Sequence, residues 1–417
     1  MHMNNKKSAS PKLRFAEFAN RGEVIFENGD TLFEAISDKD HDCDLPVLAI
    51  TQEQGAIPRE MIDYQVFVTD KSLESYKKVE VGDFIISLRS FQGGIEYSSY
   101  QGICSPAYII LRKKKNIVNE YYKYYFKSKR FIQDLNRNLE GIRDGKMVSY
   151  EQFSQILIPK PNNDEQKVIA NCIESLDTLI GVENNKLNAL KKHKIGLMQK
   201  LFPTKNQDSP AYRFCEFSAS GSWKYVKLSD VADRVISKNK DNSIQRVFTN
   251  SANNGVMEQS KYFEREIVTE NNLSNYSIIE NGDYVYNPRI STVAPVGPIS
   301  KNKIGKGIIS PLYMVFRFRK DDHDFYEYYF KTTLWHQYIN GKANMGARHD
   351  RINISTDDFM NMPVPVCPNP KEQERIALFF KSVDELIIKQ EQKVEELNRH
   401  KEGLLQQLFP SFEEVNK

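Results

Sequence analysis

Glu165 to Pro203 reads EQKVIANCIESLDTLIGVENNKLNALKKHKIGLMQKLFP, and Glu372 to Pro410 reads EQERIALFFKSVDELIIKQEQKVEELNRHKEGLLQQLFP. Aligned without a gap at a constant offset of 207, the two stretches agree at 18 of 39 positions. A repeat of this length decides the architecture before any local reading does.

Each copy carries a 4-3 spacing of apolar residues. The first runs Ile169, Ile173, Leu176, Ile180, Glu183, Leu187, Leu190, Lys194, Leu197, Leu201. The second runs Ile376, Phe380, Val383, Ile387, Gln390, Val394, Leu397, Lys401, Leu404, Leu408. Apolar residues every 3.5 positions keep one stripe facing a partner helix, so this is a coiled-coil seam. Its polar breaks fall at equivalent places, and an antiparallel neighbour would let Lys194 and Lys401 snorkel or meet Glu183 and Gln390. Asn162 and Asn369 are expected N-caps, with the carboxylates of Glu165 and Glu372 reaching back to the cap amides. Pro370 suits the first helical position, and Pro203 and Pro410 mark the stops. At about 1.5 Å per residue each rod is roughly 55–60 Å long.

The repeat reaches beyond the rods. Ser10-Pro11 opens SPKLRFAEF and Ser209-Pro210 opens SPAYRFCEF. Gly82-Asp83-Phe84-Ile85 matches Gly282-Asp283-Tyr284-Val285, and Arg89 and Arg289 follow at the same spacing. Ser105-Pro106 matches Ser310-Pro311, and Tyr124-Tyr125-Phe126-Lys127 matches Tyr328-Tyr329-Phe330-Lys331. The chain is a tandem duplication with four parts: a globular module over 10–161, a long helix over 162–203, a linker and second module over 204–368, and a second helix over 369–410.

Within a module, residues 47–50, 84–88 and 107–111 read as strands by their β-branched and aromatic content, and 154–158 as a last strand before Pro159. Residues 119–139 read as one helix. The aromatic runs 121–126 and 326–330 sit at helical spacing and read as core. The fold class is α+β: two mixed modules in tandem, joined by two long helices that pair as an antiparallel coiled coil with pseudo-two-fold symmetry.

The 417 residues suffice for two or more cores, and a composition 27% charged and 40% hydrophobic is that of an ordinary soluble protein. The near-balanced net charge of +3 announces no nucleic-acid partner by itself. Five scattered cysteines without a C-x-x-C argue against a disulfide framework or zinc site and favour a reducing cytoplasm. No apolar run is long enough to span a membrane, and the polar start MHMNNKKSAS lacks a signal-peptide core.

The segment order, the EQ-x-x-I-A helix starts after a Pro-rich strand exit and the Leu-Phe-Pro ends resemble the specificity subunit of type I restriction-modification systems. The resemblance covers essentially the whole chain. It implies two target recognition domains, each reading one half of a split, asymmetric sequence in double-stranded DNA. It also implies that the helices set the gap and dock two methyltransferase subunits, with motor-nuclease subunits joining through that complex. This chain then catalyses nothing and binds no cofactor. S-adenosylmethionine belongs to the methylase partner, and ATP and magnesium to the motor-nuclease.

Two modules related by a two-fold match the local symmetry of duplex DNA, and elements about 34 Å apart face one side of it. The loops 89–102 and 288–307, rich in Gly, Ser, Arg and Lys, suit close approach to a DNA backbone. The candidate contacts are Arg89, Ser90 and Gln92 in the first loop and Asn287, Arg289, Ser291 and Thr292 in the second. A further set precedes each last strand: Arg143, Lys146 and Ser149, and Arg348, His349, Arg351 and Ser355. Arginine can bind guanine O6 and N7 with two hydrogen bonds; the bland alternative for Arg89 and Arg289 is a surface arginine paired with a carboxylate. The runs 112–115 and 317–320 read more readily as solvated edges. The helix-pair seam is carried by Ile173, Leu176, Ile180, Leu187, Leu190, Phe380, Val383, Ile387, Val394 and Leu397.

No G-x-x-x-x-G-K-[ST] cradle or H-E-x-x-H is present. Asn287-Pro288-Arg289-Ile290 departs from the Asn/Asp-Pro-Pro-aromatic tetrapeptide of amino-methyltransferases at its third and fourth positions. Two alternatives to the type I reading stay open at this point. One is the recognition subunit of a restriction class with a fused methylase-nuclease partner; the other is a helical scaffold that does not bind DNA.

Overall fold

The computed structural model describes residues 8–41, 44–62, 73–137, 148–204, 207–261, 273–321, 324–345 and 350–410. Both repeated stretches form single helices, Asn163–Leu201 and Pro370–Leu408. The chain divides into two units, Met1–Asn184 with Gln392–Lys417, and Asn185–Glu391. Each unit therefore holds one module, the N-terminal half of the helix that follows it and the C-terminal half of the other helix.

In the first unit, Phe33–Ile36, Ile109–Lys113, Phe84–Ile86 and Glu96–Tyr97 form an antiparallel sheet in that order. Ser8–Ala9, Val24–Asn28 and Leu157–Lys160 form a three-stranded sheet, and Leu48–Thr51 pairs with Gly55–Pro58. In the second unit the equivalent main sheet is Ala232–Arg234, Met314–Phe318, Tyr284–Tyr286 and Ile299–Lys301. Lys224–Lys227 pairs with Pro363–Val366.

Three local expectations are corrected. Residues 119–139 are not one helix: Asn119–Tyr125 ends and Lys129–Arg137 begins anew. Ser128 makes the break, its hydroxyl accepting from the amide of Phe131 at 3.3 Å, as an N-cap does. The last strand is Leu157–Lys160 rather than 154–158, because Ser149 and Gln152 form a capping box that starts a short helix, Tyr150–Ser154. The strand runs through Pro159 because it lies at a sheet edge, where a missing N–H costs no ladder bond. The segments 89–102 and 288–307 are more than loops, since each returns to the sheet through Glu96–Tyr97 or Ile299–Lys301.

The aromatic runs are core. Tyr121, Tyr122, Tyr125 and Phe126 are buried, as are Phe325, Tyr326, Tyr329 and Phe330. The helix ends are buried with them. Phe409 packs edge-on against Tyr121 and Tyr125, with centroids 5.1 and 5.4 Å away, and Phe202 packs on Phe325 and Tyr329 at 5.2 and 5.7 Å. Leu-Phe-Pro is thus an anchor as well as a stop. A buried phenylalanine contributes about 1.5–3 kcal/mol.

The repeated Gly-Asp has a structural cause. Asp83 and Asp283 are buried, and each accepts from a backbone amide three residues back, Glu80 at 2.8 Å and Glu280 at 2.7 Å. Their remaining capacity holds an arginine from the neighbouring strand. Arg112 reaches Asp83 with Nε and Nη2 at 2.8 and 2.6 Å, and Arg317 reaches Asp283 at 2.6 and 3.1 Å. The hydrogen bonds to Asp83 raise the Arg112 pKa, against the smaller opposing effect of burial.

The first-turn glutamates do more than cap the helices, although Glu165 does reach back, accepting from the side-chain amide of Asn162 at 3.4 Å. Asn162 caps the first helix by accepting from the Glu165 amide at 3.0 Å, and Asn369 accepts from Lys371 at 3.1 Å. The carboxylate of Glu165 turns to Arg14, whose Nε and Nη2 lie 2.7 and 2.8 Å from its oxygens. Arg213 holds Glu372 in the same way, at 2.7 Å on both arms.

Candidate nucleic-acid interface

Arg89 follows the strand Phe84–Ile86 and is exposed. No carboxylate among the described residues pairs with it. Its carbonyl accepts from the Gln52 amide nitrogen at 3.4 Å and its own amide donates to the Ser87 hydroxyl at 3.3 Å, so the backbone is pinned while the guanidinium is not. Gln92 is exposed beside it. Ser90 is buried and its hydroxyl accepts from the Ser87 amide at 2.9 Å, which removes it from the surface. Ser149 is spent on its cap, accepting from Gln152 at 3.2 Å. Arg143 and Lys146 lie outside the described residues. The Asn136 amide group donates to the Phe91 carbonyl at 2.8 Å and so holds the Arg89 segment against the helix Lys129–Arg137.

The second unit shows more. Asn287 is buried: its side chain donates to the Asn250 carbonyl at 2.9 Å and accepts from the Arg289 amide at 3.0 Å. It supports the candidate surface without belonging to it. Arg289, Ser291 and Thr292 are exposed. Ser291 shapes its own turn, its hydroxyl accepting from Ala294 at 3.1 Å. Gly297 closes the excursion at a φ of +80°, where a Cβ would lie 2.1 Å from the Asn287 carbonyl oxygen. Glycine alone fits there.

Two candidates placed far apart in sequence are neighbours in space. Arg289 and Arg351 form an isolated antiparallel bridge, fixed by Ile290 donating to the Asp350 carbonyl at 3.0 Å and Ile352 to the Pro288 carbonyl at 2.9 Å. Arg348 and His349 lie outside the described residues. Asp350, which the sequence reading passed over, puts a carboxylate 3.9 Å from Arg289 Nε. Its only sequence signal is its place in Arg348-His349-Asp350-Arg351. Ser355 caps the helix Thr356–Met360, accepting from Asp358 at 3.0 Å.

The basic runs at the strand ends are largely committed. Arg112 and Arg317 hold the buried aspartates, Lys115 meets Glu27 at 2.5 Å, and Arg319 meets Asp233 at 2.7 Å.

On the long helices every seam position is buried or half-buried. The expected partners of the seam lysines are corrected: Lys401 meets Asp177 at 2.5 Å within the first unit, and Lys194 meets Asp384 within the second. Glu183 takes Lys393 instead, at 2.5 Å. Within a unit, partner numbers rise on one helix as they fall on the other, as in an antiparallel pair. Each lysine also lies over a module tyrosine, Lys401 5.9 Å from the Tyr124 ring and Lys194 5.5 Å from Tyr328. The Tyr328 hydroxyl donates to Asp384 at 3.0 Å. Among the described residues no group of acidic, histidine and cysteine side chains is arranged to hold a metal, and no helix is long and apolar enough to cross a membrane.

A family model described as "Type I restriction modification DNA specificity domain" matches residues 17–192 and again 221–399. The chain is 26% identical over 361 residues to the type I restriction enzyme MjaVIII specificity subunit of Methanocaldococcus jannaschii, covering 79% of each. Its fold is similar to a chain from a structure titled for the assembly and conformational transition of the type I R-M system, with a TM-score of 0.54, 15% identity and coverage of 92% of this chain and 94% of that one. It is similar also to the type I restriction-modification S subunit from M. genitalium, with a TM-score of 0.50, 13% identity and coverage of 96% and 99%.

Proposed function

Since this chain belongs to the type I restriction modification DNA specificity family, we propose that it supplies sequence recognition, and no catalysis, to a restriction-modification complex. Each module reads one half of an asymmetric bipartite target in double-stranded DNA. The observation that carries this reading is the double family match, once over each module and the helix that follows it. Because the two modules differ in sequence while the rods repeat, the half-sites differ and the gap between them is fixed.

The long helices form an antiparallel coiled coil that sets this gap, and the modules are related by a pseudo-two-fold. In support, Lys401–Asp177 in one unit repeats as Lys194–Asp384 in the other. The same helices dock two methyltransferase subunits, through which motor-nuclease subunits join. Leu179 and Val182 on the first helix and Leu386 and Ile388 on the second are exposed apolar side chains, 42–58% accessible, suited to a protein partner. S-adenosylmethionine is then held by the methylase and ATP with magnesium by the motor-nuclease, in the cytoplasm where their DNA lies.

Arg89, Gln92, Arg289, Ser291, Thr292 and Arg351, with Arg143, Lys146, Arg348 and His349 from outside the described residues, are the proposed DNA-facing set. The test is a methylome. The chain is co-expressed with the methylase encoded beside it in a host lacking adenine methylation, and modified positions are mapped. A single asymmetric bipartite motif, methylated on both strands, is the expected result. No methylation from a soluble complex would overturn the reading.

A further inference from the structure

Arg289 and Arg351 are opposed in a way a folded protein has reason to avoid. The two bonds that fix their bridge come from the flanking residues, Ile290 to Asp350 and Ile352 to Pro288. That makes Arg289 and Arg351 a non-hydrogen-bonded pair, the closer of the two antiparallel geometries, with Cα atoms about 4.5 Å apart. Directly opposite residues project to the same side, and like charges there repel. Among the described residues one carboxylate stands near the pair. Asp350 lies 3.9 Å from Arg289 Nε, too far for a hydrogen bond, and its Oδ1 is buried with no hydrogen-bond partner among the described residues. Arg289 remains 64% exposed. Two arginines on directly opposed backbone positions, beside a single weakly engaged carboxylate and on a backbone braced by Asn287, make a site for an anion or an electron-rich edge.

We propose that Arg289 and Arg351 act together on a guanine of one half-site. Arg289 reads the O6 and N7 edge in the major groove, and Arg351 neutralises the phosphate beside it. This rests on the DNA-recognition reading above and names the base and the division of labour. The carboxylate on the Nε side of Arg289 leaves Nη1 and Nη2 free, and that planar fork matches the two acceptors of guanine. One guanine edge takes one fork, so Arg351, on the backbone position directly opposite, meets the DNA backbone, where contacts position rather than specify. DNA binding then relieves the repulsion that the free protein carries.

The experiment uses the full chain purified with its methylase, and duplexes carrying the motif found by methylome. Affinity is measured across a salt series, with each guanine replaced in turn by 7-deazaguanine. One replacement is expected to weaken wild-type binding about tenfold or more. Arg289→Gln loses the preference at that same base pair and suffers no further loss from the replacement. Arg289→Lys keeps the charge but not the fork, and loses the preference with the salt slope unchanged. Arg351→Gln weakens all sequences alike and lowers the slope of log affinity against log salt by about one. The proposal is overturned if Arg289→Gln keeps every base preference, or if Arg351→Gln loses one with no change in slope. Binding that ignores salt and sequence in the wild type would instead sink the recognition reading itself.

Discussion

Glu372, in the first turn of the second long helix, is gripped by both Nε and Nη2 of Arg213, a residue 159 positions earlier in the chain, at 2.7 Å on each arm. Arg14 grips Glu165 in the same geometry. Both glutamates are 1% exposed and both arginines 13%. The hydrogen bonds to Glu372 raise the pKa of Arg213, against a smaller effect of burial, so the charge persists at any working pH. Removing one partner of such a pair leaves an uncompensated buried charge, at a cost of about 3 kcal/mol or more. Arg213→Ala is expected to raise hydrogen exchange across the second unit and leave the first unchanged, with Arg14→Ala giving the mirror result. Uniform loss of protection in both units would contradict the division into two.

Phe409 lies at the far end of the chain from the module it completes. It packs on Tyr121 and Tyr125, in the core of the first module. Phenylalanine-to-alanine changes at such sites cost about 3–5 kcal/mol. Phe409→Ala is therefore expected to blur the half-site read by the first module, and Phe202→Ala the half-site read by the second. Methylome maps of the two variants check this. If both blur the same half-site, the helix ends do not complete the modules as described.

How far the sequence revealed this depended on the range of the interaction. The seam was readable because 4-3 spacing is local, and every position it named is buried or half-buried. The break at Ser128 was also local, an N-cap signal outweighed by continuous apolar spacing on either side. The role of Asp83 was not readable, because its arginine arrives 29 residues later on a paired strand. Nor was the meeting of Arg289 with Arg351, which depends on a bridge between segments 62 residues apart. The seam lysines were seen as exceptions, but their partners, Asp177 and Asp384, lie beside the seam rather than in it.

Acid should weaken the first module through Glu27. Burial raises its pKa, but hydrogen bonds from Lys115 and Lys160 outweigh that and hold it below its ordinary 4.5. A depressed carboxylate contributes stability above its unfolded value, and that contribution is lost as pH falls through the lower folded value. With partly exposed lysines the effect is modest, under about 1 kcal/mol. Lys115→Ala with Lys160→Ala is expected to flatten the decline in unfolding midpoint below pH 4.5. An unchanged acid limb would assign the decline to other carboxylates.

The Lys401–Asp177 pair is testable by exchange. Lys401→Asp alone sets two carboxylates against each other beside Tyr124 and should cost about 1 kcal/mol, since both side chains are about a third exposed. Adding Asp177→Lys restores opposite charges across the same two helices and should recover at least half of the loss. Denaturant midpoints of the single and double variants measure the coupling. Absence of recovery would mean that the seam tolerates the lysine without using it.

If the paired helices are the ruler, their length between the two lysine pairs sets the distance between half-sites. Adding or deleting four residues within 184–193 changes that span by about 6 Å, close to one helical turn, and so keeps the seam facing its partner. The step corresponds to about two base pairs at 3.4 Å each. The altered complex is expected to methylate the same two half-sites at a changed gap, read directly from the methylome. Both half-sites must be retained for the result to count as a ruler effect, because loss of one would report damage to a module. An unchanged gap, with both half-sites still read, would show that the spacing is fixed elsewhere than in these helices.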